Sequence, residues 1–226
     1  MGSKIRPLTA EFVGTFALVF ASAGSVVVDA ARGNPLGLLG IALAPAMTLA
    51  VFIPSFYAAS GAHFNPAVTF GMWLTNRIDG KAAGMYVVVQ LIAAAAAAFF
   101  VKMFLPSIAG EIMDYGNTRL TGDVDFVKGI VLEAVLTFIL LCAIFGTLVS
   151  KDAPKYIGGF AVGAAVLVNL LIGAPLTGAA MNPARAFGPA LISMEWTAHA
   201  VFWIGPVLGA AVAALLWDKV LLGKTD

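Results

Sequence analysis

Charge is what this chain has least of. Asp, Glu, Lys and Arg make up 11% of its 226 residues, while 61% are hydrophobic. An ordinary soluble domain carries about 25% charged residues, so the composition excludes a water-soluble globule and implies an integral membrane protein. Net charge is +1, which offers no basic surface to a nucleic acid. A lone cysteine, Cys142, excludes an internal disulfide and a thiolate metal cluster, leaving it as a packing residue. Histidines at metal-ligand spacing, a nucleophile beside a base and a phosphate-binding loop are all missing from the sequence. Neither an enzyme nor a bound cofactor or metal is expected.

Long apolar runs, with at most two charged residues each, are what the chain has instead. They lie at 8–30, 38–58, 82–105, 126–149, 156–174 and 198–221, each near the ~20 residues a helix needs to cross ~30 Å of hydrocarbon. Six spanning helices are expected. The first run is too long for a cleaved signal peptide, and no small-residue cleavage site follows a short apolar core. It should remain as a span. Cytoplasmic loops are enriched in Lys and Arg. Placing Lys4 and Arg6 inside also puts Arg77, Lys81, Lys151, Lys155, Lys219 and Lys224 inside, eight against the four outside, Arg32, Lys102, Arg119 and Lys128. Both termini are therefore expected in the cytoplasm. Glu111, Asp114, Asp123 and Asp125 then occupy an external loop, read as a solvated connection rather than a cation site.

Asn-Pro-Ala occurs twice, at Asn65-Pro66-Ala67 and Asn182-Pro183-Ala184, each time between apolar stretches. Asparagine is a good helix N-cap and proline suits the first helical position, so each copy can start a helix. The halves share more than the tripeptide, since Glu11-x-x-x-Thr15-Phe16 is repeated 122 positions on as Glu133-x-x-x-Thr137-Phe138. Each half, 1–120 and 121–226, thus holds three spans. An odd number makes the second half enter the membrane from the opposite side, an inverted repeat with its site at the midplane. The segments 66–75 and 183–193 are too short to span. At 1.5 Å per residue, ~10 residues cover ~15 Å, so two half-helices end to end make one broken seventh helix with the asparagines at its centre. Irregular backbone at that depth must line a cavity or be buried in protein. Gly61-Ala62-His63-Phe64 and Gly178-Ala179-Ala180-Met181 are largely small and can present carbonyls to such a cavity.

On the motifs Gly61-Ala62-His63-Phe64-Asn65-Pro66-Ala67-Val68-Thr69 and Met181-Asn182-Pro183-Ala184-Arg185, the chain resembles the major intrinsic proteins, the aquaporin and aquaglyceroporin family, over essentially its whole length. The resemblance implies an all-α membrane protein of six transmembrane helices and two re-entrant half-helices in one channel domain, 1–226. It also implies a homotetramer in the cell membrane with a pore in each subunit, passing neutral solutes in single file. Facing half-helix N-termini, each with roughly half a positive charge, would repel cations and protons. Asn65 and Asn182 would donate amide hydrogens to the permeant, and Glu11 and Glu133 would brace the re-entrant loops, as in similar proteins. His63 reads as a pore-lining or loop-bracing group, and His199 has no evident role.

Four constriction positions set selectivity in that family, and spacing from the tripeptides carries them onto Pro45, Leu170, Ala179 and Arg185. Strict water channels place an aromatic and a histidine where Pro45 and Leu170 stand, so a wider, apolar gate is expected. Leu167-Val168-Asn169-Leu170 through Asn182 most resembles the nodulin-like branch, which implies glycerol, other polyols or undissociated metalloid hydroxides such as arsenous acid, besides water. Phe202-Trp203, and Ala186 after the arginine, look instead like the water-channel version, so a water-selective aquaporin is the alternative. Pro45 and Pro54 are expected to bend the second helix. A secondary active transporter also uses broken helices, but no acidic group for coupling flanks the tripeptides, and Arg185 lies off-centre by analogy with the family.

Overall fold

The computed structural model describes residues 2–222; Lys224 lies outside the described residues, as do the side chains of Lys4 and Lys155. Its elements are helices: α1 (Gly2–Ala31), α2 (Gly37–Ser60), α3 (Pro66–Leu74), α4 (Gly80–Phe104), α5 (Ser107–Ile112), α6 (Phe126–Ile144), α7 (Gly158–Thr177), α8 (Pro183–Ser193) and α9 (Val201–Leu216). One π-helical turn extends α6 over Phe145–Val149 and another extends α9 over Trp217–Leu221. Six of these helices are long and apolar enough to cross a membrane, and each overlaps one of the runs read from sequence. The chain is a multi-pass membrane protein.

Local chemistry fixes the helix ends. Asp79 and Asp125 cap α4 and α6, each accepting backbone N–H bonds with its carboxylate. Asn65 and Asn182 do the same for α3 and α8, with proline next in line. At the other end, α2 and α7 stop where Gly61 and Gly178 take left-handed conformations, φ 84° and 82°. Pro45 and Pro54 sit within α2, which continues unbroken through both. The carbonyl that Pro45 leaves without an amide partner, that of Ile41, accepts the Ser25 hydroxyl at 3.4 Å.

The spans pack in matched pairs, α1 on α4 and α6 on α9, with α2 against α7 between them. Lipid offers no hydrophobic drive to hold helices together, so close backbone approach does it. A side chain at Gly209 of α9 would collide with the Ala134 carbonyl of α6, and one at Gly163 of α7 with the Ala46 carbonyl of α2. The half-helices fill what remains, α3 against α9 and α8 against α4. At one end of the molecule Arg77 pairs with Asp218 at 2.8 Å, and Tyr57 of α2 donates to the Leu148 carbonyl. The other end is closed by Asp29, which accepts from Leu36 and Gly37, and by the Asn117 amide on the Glu195 carbonyl. The acidic loop lies at that second end. Asp114 pairs there with Arg119 at 3.2 Å, and the Lys128 amide, bonded to Asp125, holds that carboxyl below its usual range. No metal-capable cluster occurs among the described residues.

Candidate pore

Two buried glutamates organise the re-entrant loops. Glu11 of α1 accepts from the Ser60 hydroxyl at 2.6 Å and the His63 amide at 2.9 Å through Oε1. Its Oε2 takes the Phe64 amide at 2.7 Å and the Gln90 side chain at 2.8 Å. Glu133 of α6 repeats the arrangement: Oε1 accepts from Thr177 at 2.6 Å and Ala180 N at 2.9 Å, Oε2 from Met181 N at 2.8 Å. Both carboxylates are fully buried, and a buried carboxylate is tolerable only with such a donor set. The donors exist because the loops adopt an unusual backbone. Ala62, Phe64, Ala179 and Met181 all have φ between 45° and 52°, a region costing roughly 1–2 kcal/mol per residue outside glycine. Alternating left-handed residues turn successive N–H groups toward the glutamate and carbonyls away from it. Strain in the loop and charge on the helix offset one another.

The asparagines tie the two loops together. Each Oδ1 caps its own half-helix, while Asn65 Nδ2 donates to the Met181 carbonyl at 2.8 Å and Asn182 Nδ2 to the Phe64 carbonyl at 2.9 Å. An amide has two hydrogens. One crosses to the opposite loop; the second is left for the cavity both asparagines line. The N-termini of α3 and α8 therefore face each other at the point where these side chains meet.

That cavity has a volume of about 420 Å³ and runs from Ser22 and Arg185 at one end to Arg77 and Val149 at the other. Pro45, Leu170, Ala179 and Arg185 line it together, as do Gly61, Ala62, His63, Ala180 and Met181. Phe64 and Gly178, expected as lining residues, are not on its wall. The left-handed φ of Phe64 swings its ring into the core, against Gly14 and Phe56. Gly178 is spent on ending α7 and abuts Thr118. Of the tripeptides only the asparagines reach the cavity, because Pro66, Ala67, Pro183 and Ala184 are buried behind them.

The sequence family described as Major intrinsic protein matches residues 2–217. This chain belongs to the major intrinsic protein family. It is 36% identical to Aquaporin TIP4-4 of Zea mays, with 97% of this chain and 88% of that protein covered. It is also 38% identical to Aquaporin TIP4-1 of Arabidopsis thaliana over the same shares, and 34% to Aquaporin NIP1-1 of Zea mays over 96% and 75%. The X-ray structure of the aquaglyceroporin from Plasmodium falciparum shares the fold, with a TM-score of 0.85 at 24% identity, covering 96% of this chain and 97% of that one. Major intrinsic proteins are channels, so the chain is not an enzyme.

Within this channel, several polar groups at the site were not read from sequence. Ser60 and Thr177 are the clearest: each donates to a glutamate and accepts from the amide of Ala62 or Ala179. They are separated by the same 117 positions as the tripeptides, and that repeat could have revealed them. Thr69 receives Gln90 Nε2 and contacts His63 Nδ1, both at 3.1 Å, which sets the histidine ring against the wall. His63 is thereby both lining and braced. Arg77 is held by Asp218 and lies 5.2 Å over the Phe145 ring, linking the first half-helix to both π-helical turns.

His199 also has partners. Its Nε2 accepts the Trp203 indole N–H at 3.0 Å, and its ring stands edge-on to Trp196 at 4.8 Å. Burial lowers its pKa from the usual histidine value, and protonation at Nε2 would break the indole bond. Tryptophan fluorescence should therefore change on acidification with a midpoint below about 6.5, and His199→Gln should abolish that transition.

Proposed function

We propose that the chain is a passive channel for small neutral polyols and undissociated metalloid hydroxides, together with water, that excludes ions and protons. The observation carrying this reading is the cavity lining, which brings Pro45, Leu170 and Ala179 together with Arg185. Arg185 is itself anchored: Nε donates to Ser22 Oγ at 3.1 Å and Nη1 to the Gly116 carbonyl at 2.8 Å. The remaining guanidinium hydrogens can bind a hydroxyl, while the opposite wall tolerates the carbon skeleton. At the centre, two half-helix N-termini and two amide hydrogens orient a passing molecule and raise a barrier to cations. We further propose the orientation given by the charge bias, with both termini and the Arg77 end in the cytoplasm, one channel domain of two inverted halves, and a homotetramer. A water-selective pore is the second reading, favoured by the likeness to relatives named aquaporins of the TIP type.

Stopped-flow light scattering on proteoliposomes, with water, glycerol and arsenous acid as permeants, separates the two. Passage of all three is expected; passage of water alone would establish the second reading. Leu170→His combined with Pro45→Phe should lower glycerol flux at least tenfold more than water flux, because bulk and a ring nitrogen replace apolar space. Equal losses would show that these positions do not form the filter.

A further inference from the structure

Ser22 stands on α1, outside the four positions to which selectivity is assigned, yet it shares their cavity wall and is only 5% exposed. Its surroundings give the side chain a divided role. One lone pair of Oγ is taken by Arg185 Nε. The hydroxyl proton has no acceptor among the described residues, unlike those of Ser25, Thr48, Ser55 and Ser193, each of which donates to a backbone carbonyl. The carbonyl of Ser22 itself is occupied by Ser25 Oγ at 3.0 Å, and Ser25 also reaches the Ile41 carbonyl freed by Pro45. α1 is thus pinned to α2 at the level of the filter. A buried hydroxyl with an idle proton beside a buried arginine, in a cavity where the other three proposed filter positions are Pro45, Leu170 and Ala179, is a hydrogen-bonding site awaiting a partner.

We infer that Ser22 is a fifth specificity-determining residue of the pore, donating its hydroxyl proton to an oxygen of the permeant while Arg185 binds a neighbouring oxygen of the same molecule. The inference rests on the reading of Pro45, Leu170, Ala179 and Arg185 as the filter and deepens it by naming the substrate class. Molecules with two or more oxygens within reach of one another, the vicinal polyols and the geminal hydroxyls of metalloid acids, can use both groups at once. Water, with one oxygen, uses either and gains little from the pair. Because the Arg185 Nε bond ends on Ser22, the residue also turns the guanidinium edge toward the solute.

Glycerol, 1,2-propanediol, 1-propanol and water permeabilities of the wild type, Ser22→Ala, Ser22→Thr and Leu170→His in proteoliposomes test this. Ser22→Ala is expected to lower the glycerol-to-water ratio about fivefold, the loss of one hydrogen bond, with propanediol reduced to a similar degree, propanol unaffected, and the ratio recovered in Ser22→Thr. An unchanged ratio in Ser22→Ala, or equal losses of glycerol, propanol and water, would overturn the role of Ser22. The outcome for Leu170→His separates the two levels. If it shifts the ratio while Ser22→Ala does not, Ser22 fails and the filter stands; if neither shifts it, the filter reading falls as well.

Discussion

Glu133→Ala is expected to abolish conduction and to leave little folded protein. Removing the carboxylate orphans three donors at once, Thr177 Oγ1 and the amides of Ala180 and Met181, in a fully buried position. Each orphaned buried donor costs about 1–3 kcal/mol, so the sum is comparable with the whole stability of a typical domain. The left-handed backbone at Ala179 and Met181 would then have nothing to offset its strain, and Asn65 would lose the Met181 carbonyl that fixes its amide. Glu133→Gln separates geometry from charge: it keeps one acceptor and the side-chain volume, and should retain measurable folding with water permeability lowered by at least tenfold. Thermal unfolding in detergent and stopped-flow permeability provide the readouts. Wild-type behaviour of the alanine variant would show that the loop holds its shape without the carboxylate.

Arg185→Val should open the pore to cations while leaving water flux within about threefold. At an effective dielectric constant of ~20, a cation ~5 Å from the guanidinium meets a barrier of roughly 3 kcal/mol, about two orders of magnitude in rate. The half-helix N-termini remain, so exclusion weakens without vanishing. The substitution also frees the Gly116 carbonyl and Ser22 Oγ, both of which water in the cavity can satisfy. Proton and potassium fluxes measured with a pH-sensitive dye and by tracer uptake should rise ten- to a hundredfold over wild type. No rise would assign cation exclusion to the paired helix ends alone.

Much of this protein was legible in its sequence because a bilayer leaves few solutions. Six apolar runs of about twenty residues are read as helices, since only a helix satisfies its backbone within a single segment in lipid, and the spans observed overlap all six. The half-helices were legible too: Asn-Pro sets a start, and a run of about ten residues cannot cross. Pro45, Leu170, Ala179 and Arg185 could be nominated from the family resemblance, and all four line one cavity. Phe64 and Gly178 were misplaced because adjacent loop residues look alike in sequence, whereas sign changes in φ decide which ones face the cavity. Ser22 carries no local signal whatever. Its importance arises from a helix crossing that brings it to a residue 163 positions away.

The twin Asn-Pro-Ala segments, the repeated glutamates and the scarcity of charge determine a multi-pass helical membrane protein with two short half-helices, because helix capping and hydrophobic length are local or additive properties that a linear chain already contains. Tertiary structure alone decided which atoms face the permeant. That outcome depends on hydrogen bonds between segments far apart in the sequence, from Asn65 to Met181, from Asn182 to Phe64 and from Arg185 to Ser22, and no such bond has meaning until the chain folds those segments together.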